Sequence, residues 1–215
     1  MTPDGFQSAT NVSRETLDRL KVYADLLVKW QKAINLVSKN TLPDLWQRHM
    51  LDSAQIYDIA KAVVAEQGRN IRPLNENTWL DLGSGAGFPG LVLSIMGVGQ
   101  MHLVESDARK CTFMREVARE TGANVIFHTC RIEKLAGQKD NPGQVDFISA
   151  RALAKTDQLL AWAAPFRSQN TVCLFPKGQD VDFELEHLLE FDDSIIKKWP
   201  SRTQDQSVVL QVTSH

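Results

Sequence analysis

The first part of the chain has the apolar spacing of amphipathic helices. Beyond residue 13, apolar side chains recur every three or four positions, which predicts a helix with Ser13 as its N-cap and Glu15 in its first turn. Pro43 suits the start of a second, short helix. The apolar positions between 51 and 63 predict a third helix, so the N-terminal region is expected to be helical.

After residue 77 the pattern of apolar positions changes, and short apolar runs alternate with helical stretches. We expect residues 1–12 to be irregular and residues 68–73 to form a linker. The predicted strands cover residues 78–82, 101–105, 124–128, 145–150 and 171–175. The predicted helices between them cover residues 91–96, 108–121, 155–164 and 183–189. Such alternation predicts a parallel sheet with helices on both faces.

The last two apolar runs, residues 194–199 and 207–213, have no helix between them and predict an antiparallel strand pair. The fold class is therefore α/β, with a Rossmann-like, mostly parallel seven-stranded sheet that ends in this pair. We expect a helical extension over residues 1–72 and the Rossmann-like domain over residues 73–215, together forming one compact unit.

Composition excludes several classes of protein. With 43% apolar and 23% charged residues over 215 positions, the chain is typical of a globular domain. No apolar run approaches the ~18 residues of a membrane span, and the N-terminus lacks signal-peptide features, so we expect a cytoplasmic protein. Three widely spaced cysteines indicate neither a disulfide framework nor a metal site. A net charge of −2 argues against indiscriminate nucleic-acid binding.

The most informative segment is residues 79–90, WLDLGSGAGFPG. An apolar run ends in the carboxylate of Asp81, and a glycine-rich turn leads into a further apolar stretch. Glycines allow close approach of the backbone to a ligand, and a helix N-terminus behind them offers free N–H groups. The segment predicts a strand, a tight loop and a helix that together bind a nucleotide-like molecule.

Two cofactors compete for this loop. The spacing from Gly85 to Gly90 satisfies G-x-G-x-x-G, and Glu105 follows at the distance expected for a ribose ligand, so an NAD(P)-dependent oxidoreductase is one interpretation. Three features favour S-adenosylmethionine instead. Asp81 suits the cationic end of that molecule, only 125 residues follow Gly90 (215 − 90), which is short for a second nucleotide-binding half, and the terminal strand pair is common in methyltransferases. After the third strand, Ile132 and Glu133 are candidates for contacts to adenine.

The chain resembles the RsmG (GidB) family of class I methyltransferases, which make N7-methylguanine in bacterial 16S ribosomal RNA. The resemblance runs from about Leu17 to Val212 and rests on a set of motifs in matching order. These are Lys29-Trp30, Asn35-Leu36, Arg48-His49, Leu51-Asp52-Ser53, the glycine-rich loop, Arg131-Ile132-Glu133, Ser149-Ala150-Arg151-Ala152 and Lys177-Gly178.

The resemblance implies S-adenosylmethionine as cofactor, 16S ribosomal RNA in the small ribosomal subunit as partner, and no metal; we expect a monomer. It implies cofactor contacts at Gly83, Phe88, Ile132, Glu133 and Arg151. The residues themselves add Asp81, Gly85, Gly87 and Glu105 to the cofactor site. Glu105 replaces an Asp, and Ala86 a proline, of some relatives.

Guanine N7 has a free lone pair and no proton, so methyl transfer to it needs no general base. The expected task of the protein is to align the reacting atoms. Arg151, Lys177 and His49 are the candidates for positioning the substrate, because Arg and Lys suit the O6/N7 edge and phosphate.

Two alternatives stay open, an NAD(P)-dependent oxidoreductase and a non-catalytic RNA- or ribosome-binding module on the same fold. A basic cluster on the helix after the second strand is a hypothetical RNA contact. It comprises Arg109, Lys110, Arg115 and Arg119.

Overall fold

The computed structural model describes residues 1–67, 72–188 and 195–214. Within these residues, seven strands form one sheet in the order β3-β2-β1-β4-β5-β7-β6. The strands are β1 (Thr78–Leu82), β2 (Gln100–Val104), β3 (Val125–His128), β4 (Phe147–Ala150), β5 (Val172–Lys177), β6 (Ile195–Pro200) and β7 (Val208–Thr213). The predicted parallel sheet and the antiparallel terminal pair are confirmed, because only β7 runs against its neighbours β5 and β6.

The register brings the carboxyl ends of the central strands to one edge. Leu82, the last residue of β1, pairs with Val104 of β2 on one side and with Ala150 of β4 on the other. The strand order reverses between β1 and β4, and ligands of open α/β sheets bind at such a switch point. The residues that follow these three strands are therefore neighbours in space.

The helices occupy the gaps that the apolar pattern predicts. They are α1 (Pro3–Thr10), α2 (Arg14–Trp30), α3 (Asp52–Gln67), α4 (Gly90–Ile95), α5 (Ala108–Thr121), α6 (Ile132–Leu135), α7 (Thr156–Ala163) and α8 (Val181–Leu188). Ser13 caps α2 as predicted, since its hydroxyl accepts a hydrogen bond from the Thr16 amide at 3.0 Å. The short α6 was not predicted, because one helical turn shows no periodicity.

The prediction that residues 1–12 are irregular is wrong. Thr2 caps α1, which buries Phe6 completely against Trp46, with the ring centroids 5.4 Å apart. Arg202, far along the chain, donates a hydrogen bond to the Ala9 carbonyl at 2.7 Å. Tertiary contacts thus stabilise a helix that is too short to be stable alone.

The second predicted helix has a different form. A 3₁₀-helix over Lys39–Asp44 contains Pro43 inside it, and a π-helical turn over Trp46–Leu51 leads directly into α3. The prediction that Pro43 starts this helix is therefore wrong. The predicted linker at 68–73 and the predicted element ends at 189 and 194 lie partly outside the described residues.

Buried apolar residues form one cluster on each face of the sheet. The first cluster joins the N-terminal helices to the sheet, so that Leu20 of α2 belongs to the same core as Trp79 of β1. The second cluster lies between the sheet and the helices α7 and α8. None of the helices in the described ranges is long and apolar enough to cross a membrane.

Candidate active site

A cavity of about 450 Å³ opens at the carboxyl edge, where β1, β2 and β4 end. This volume is within the range of small-molecule sites. Its walls bring together most of the residues that the sequence analysis singles out. They include His49, Gly83, Gly85, Phe88, Glu105, Ile132, Glu133 and Arg151. We call it the cofactor cavity.

The glycine-rich loop forms the floor of this cavity. Gly83 and Gly85 adopt φ values of +64° and +58°, in the left-handed region where residues with a Cβ are strained. A Cβ on Gly83 would lie 2.6 Å from Cδ1 of Leu153, whereas a Cβ on Gly85 would meet no atom closer than 3.9 Å. Gly85 therefore faces open space, and a ligand can approach its backbone closely.

Gly87 does not line the cofactor cavity, although the sequence analysis assigns it to the cofactor site. A Cβ there would lie 2.3 Å from Cδ1 of Leu91 and 3.0 Å from the hydroxyl of Tyr23. The Cα hydrogen of Gly87 that takes the place of a Cβ thus points toward the packed interior. This glycine lets the loop pack against the helices behind it and makes no cavity wall.

Asp81 lies beneath the loop and also makes no wall, which corrects the expectation of a direct cofactor contact. It is completely buried in β1. Its carboxylate accepts hydrogen bonds from the Ser149 hydroxyl at 2.7 Å and from the Gly90 amide at 3.3 Å. Burial raises the pKa of Asp81 to about 6, although these hydrogen bonds favour the charged form. Asp81 connects β1, β4 and the start of α4, and thereby fixes the loop.

Glu105 follows β2 directly, at the wall of the cofactor cavity. One carboxylate oxygen accepts a hydrogen bond from the Gly85 amide at 3.0 Å, and the other accepts one from the Asp107 amide at 2.8 Å. Each oxygen of a carboxylate has two lone pairs, so acceptor capacity remains for a ligand. The two bonds hold this carboxylate in place, and a contact with ribose hydroxyls stays a prediction.

Ile132 and Glu133 begin α6, immediately after the third strand and its turn. Ile132 is half-buried and Glu133 is exposed. The first amides of a helix have no partner within the helix, so they can donate to the edge of a bound base. This placement agrees with the contacts that the family resemblance implies.

Arg151 is the centre of a polar cluster beside the loop. Its guanidinium lies 5.2 Å from the centroid of the Phe88 ring. It donates hydrogen bonds to Nδ1 of His49 at 2.7 Å, to Oδ2 of Asp52 at 3.2 Å and to the Arg48 carbonyl at 3.2 Å. The side chain is 17% exposed. The cluster fixes the guanidinium at the wall of the cofactor cavity.

The hydrogen bonds of His49 define its protonation state. The Thr41 hydroxyl donates to the Ser38 carbonyl at 2.8 Å, so it accepts from Nε2–H of His49, also at 2.8 Å. Nδ1 then accepts from Arg151. Burial, reinforced by the charge of Arg151, lowers the pKa of His49 to about 3. His49 is therefore neutral at physiological pH, and its basic nitrogen is already occupied.

A second cavity, of about 300 Å³, adjoins the first. His49, Arg151 and Ala152 line both cavities. The remaining walls of the second cavity come from the π-helical turn, α3, the end of β5 and the turn before β7. They include Arg48, Asp52, Gln55, Lys177, Thr203 and Gln204. The Arg151 cluster thus separates two spaces that lie side by side.

Comparisons with known proteins identify the family. The family described as rRNA small subunit methyltransferase G (GidB) matches residues 16–198. A protein of that name from Parvibaculum lavamentivorans is 51% identical over 97% of this chain and 88% of its own length. Another, from Paramagnetospirillum magneticum, is 46% identical over 99% of this chain and 95% of its own length.

The chain belongs to the GidB family. It is thus an S-adenosylmethionine-dependent methyltransferase, and the relatives give no support to an oxidoreductase or a non-catalytic module. Solved structures agree on the fold. An O-methyltransferase from Klebsiella pneumoniae has a TM-score of 0.62 at 12% identity, covering 99% of this chain and 96% of its own. A ribosomal protein L11 methylase from Lactobacillus delbrueckii has a TM-score of 0.56 at 17% identity, covering 75% and 80%.

Lys177 of this GidB protein has partners that the sequence did not reveal. Its ammonium donates to Oε2 of Glu184 at 2.7 Å and to the Ala154 carbonyl at 3.0 Å. The side chain is 8% exposed. These two bonds tie β5 to α8 and to the loop after β4, and they use two of the three donors of the ammonium. Lys177 also lines the second cavity, so a contact with the substrate stays a prediction.

Two residues that shape the cofactor cavity are not evident from the sequence. The hydroxyl of Tyr23 donates to the Ala86 carbonyl at 2.6 Å, and its ring stacks on Phe88 at 5.1 Å. The side chain of Gln31 accepts from the Leu36 and Val37 amides, both at 3.0 Å, and so holds a turn that lines the cavity. A tyrosine on an apolar helix face gives no local signal of such a contact.

Proposed function

We propose that this protein transfers a methyl group from S-adenosylmethionine to N7 of a specific guanine in 16S ribosomal RNA. The observation that carries the proposal is the pair of adjoining cavities that share His49, Arg151 and Ala152. One cavity has the glycine-rich floor of a nucleoside site, and its neighbour has polar walls. Bacterial ribosomal subunits are assembled in the cytoplasm, so this would be the site of action.

The residues of the cofactor cavity fit S-adenosylmethionine. The open backbone at Gly85 admits a close approach, and Glu105 presents a fixed carboxylate suited to ribose hydroxyls. The amides at Ile132 and Glu133, at the start of α6, suit the adenine edge. When bound, this cofactor supplies an electrophilic methyl group. Asp81 and Gly87 would act indirectly, by fixing the loop from below.

The protonation states at the junction suit a reaction that needs no base. Guanine N7 attacks with a lone pair and loses no proton. His49 is neutral and its Nδ1 is occupied by Arg151, so it is unsuited to accept a proton. The contribution of Arg151 and His49 would be alignment of the two reactants, which can supply several kcal/mol of the barrier.

The second cavity is the space for the target base. Guanine presents acceptors at O6 and N7 and donors at N1 and N2. The walls contain both kinds of partner, since Arg48 is an exposed donor and Asp52 a carboxylate acceptor. Asp52 also binds Thr203 at 2.7 Å and Arg151 at 3.2 Å, which fixes its orientation.

Two measurements test the proposal. In calorimetric titrations we expect S-adenosylhomocysteine to bind and NADH not to bind. Mass spectrometry of 16S ribosomal RNA from a strain that lacks the protein should show the loss of one N7-methylguanine, restored by the wild-type gene but not by Arg151→Ala. If every N7-methylguanine persists in the deletion strain, the proposed substrate is wrong.

A further inference from the structure

A third cavity, of about 400 Å³, lies between the C-terminal end of α2 and the N-terminal end of α5. Four cationic side chains line it, from Lys32, Lys39, Arg109 and Lys110. The acidic residue in its walls is Asp107. We call this cavity the basic groove.

The cations of the basic groove are available to a ligand. Lys32, Lys39 and Lys110 form no ion pair within residues 1–67, 72–188 and 195–214, and Arg109 lies 3.8 Å from Asp107. Asp107 is used as the N-cap of α5, because its Oδ1 accepts from the Arg109 amide at 2.8 Å and from the Lys110 amide at 3.4 Å. The hydrogen bond from the Arg109 amide is the main cause of a lowered pKa of Asp107. The carboxylate of Asp107 is therefore charged, and it offsets one of the four cations.

The basic groove adjoins the cofactor cavity. Lys110 lines both, and the turn between α2 and the 3₁₀-helix separates them. Leu36 of this turn faces the cofactor cavity, while Asn35 and Lys39 face the groove. Gln31 fixes the turn through its bonds to the backbone. Lys32 and Lys39 therefore flank a turn whose backbone is held in place beside the cofactor cavity.

The structure divides the basic cluster of α5 that the sequence suggested as one RNA contact. Arg109 and Lys110 face the basic groove. Arg115 donates to the Thr129 hydroxyl at 3.0 Å and lies over the Phe127 ring. Arg119 pairs with Glu120 at 2.7 Å. Of these four residues, only Arg109 and Lys110 form a continuous positive surface with Lys32 and Lys39 of the N-terminal extension.

We propose that the basic groove binds the phosphodiester backbone of the RNA strand that carries the target guanosine. This inference rests on the proposed function, which makes RNA the substrate. Lysines act as mobile point charges and bind phosphates without reading sequence. The base in the second cavity would then determine specificity, and the groove would supply affinity and orientation.

A pair of double variants tests the groove. Lys32→Gln with Lys39→Gln removes two groove charges, while Lys29→Gln with Arg119→Gln removes two exposed charges from α2 and α5 outside the groove. For the groove variant we expect RNA affinity to fall by about tenfold at physiological salt. The slope of log affinity against log salt should decrease by about 1.4–1.8. The control variant should change neither quantity by more than about twofold.

Binding and activity are measured separately, so that the two proposals fail in different ways. Both variants should keep the wild-type melting temperature and affinity for S-adenosylhomocysteine. In methylation assays the groove variant should raise KM for the RNA substrate and leave kcat unchanged. Equal RNA affinity in the two variants overturns the proposal that the basic groove binds RNA. Absence of methylation by the wild-type protein, with RNA affinity still lost in the groove variant, overturns the proposed function instead.

Discussion

The substitution Gly85→Ala tests where the cofactor binds, and Gly122→Ala provides a matched control. The two glycines have nearly identical φ values, +58° and +65°. At each position an alanine must adopt the left-handed conformation, which costs about 1–2 kcal/mol. We therefore expect both variants to lose about the same free energy of unfolding in urea titrations.

The two variants should differ in ligand binding. At Gly122, at the end of α5, an added Cβ meets no atom within 4 Å, and the site is remote from the cofactor cavity. At Gly85 the methyl group enters the space that the cofactor needs. Crowding of a packed site costs about 1–3 kcal/mol, so affinity for S-adenosylhomocysteine should fall by about 5- to 150-fold.

Calorimetry with S-adenosylhomocysteine provides the readout, and urea unfolding of each variant provides the control for stability. Equal affinities of Gly85→Ala and Gly122→Ala would refute the assignment of the glycine-rich loop as the floor of the cofactor site. A much greater loss of stability in Gly85→Ala would refute the view that this glycine faces open space.

Three further predictions concern the residues around the loop. Tyr23→Phe leaves the buried Ala86 carbonyl without its hydrogen bond, so thermal melts should show a free energy of unfolding lower by about 1–3 kcal/mol. The hydroxyl of Tyr57 has no hydrogen bond among the described residues, so Tyr57→Phe should have no effect in the same assay. The pKa of Asp81 is about 6 in the folded protein and 3.8 ordinarily, so its contribution to stability is full below pH 3.8 and is lost as the pH rises to 6. Asp81→Asn lacks this titration, so in urea unfolding its stability relative to the wild type should improve by about 3 kcal/mol over that pH range. A difference in stability that stays constant with pH would contradict this. Asp52→Asn removes the charge that orients Arg151, so kcat/KM for RNA should fall by about tenfold in methylation assays; an unchanged value would contradict this role.

Much of the architecture follows from patterns that are local along the chain. Alternation of short apolar runs and helical stretches is a local property, and it placed β1 and α5 with their observed bounds. The glycine-rich spacing predicted a tight loop that a ligand can approach, and the open space beside Gly85 agrees with that local pattern. Glu105 and Arg151 were found because parallel strands present their carboxyl ends at one edge.

The availability of polar groups for chemistry, in contrast, depends on tertiary contacts. Asp81 can be buried because the hydroxyl of Ser149, 68 residues away, donates a hydrogen bond to its carboxylate, and Lys177 is paired because α8 brings Glu184 beside it. Helix α1 is stable because Trp46 covers Phe6. Such pairings depend on chain segments that meet only after folding. Periodicity and spacing describe neighbours along the chain, so they cannot show whether a distant group will neutralise, bury or expose a given side chain.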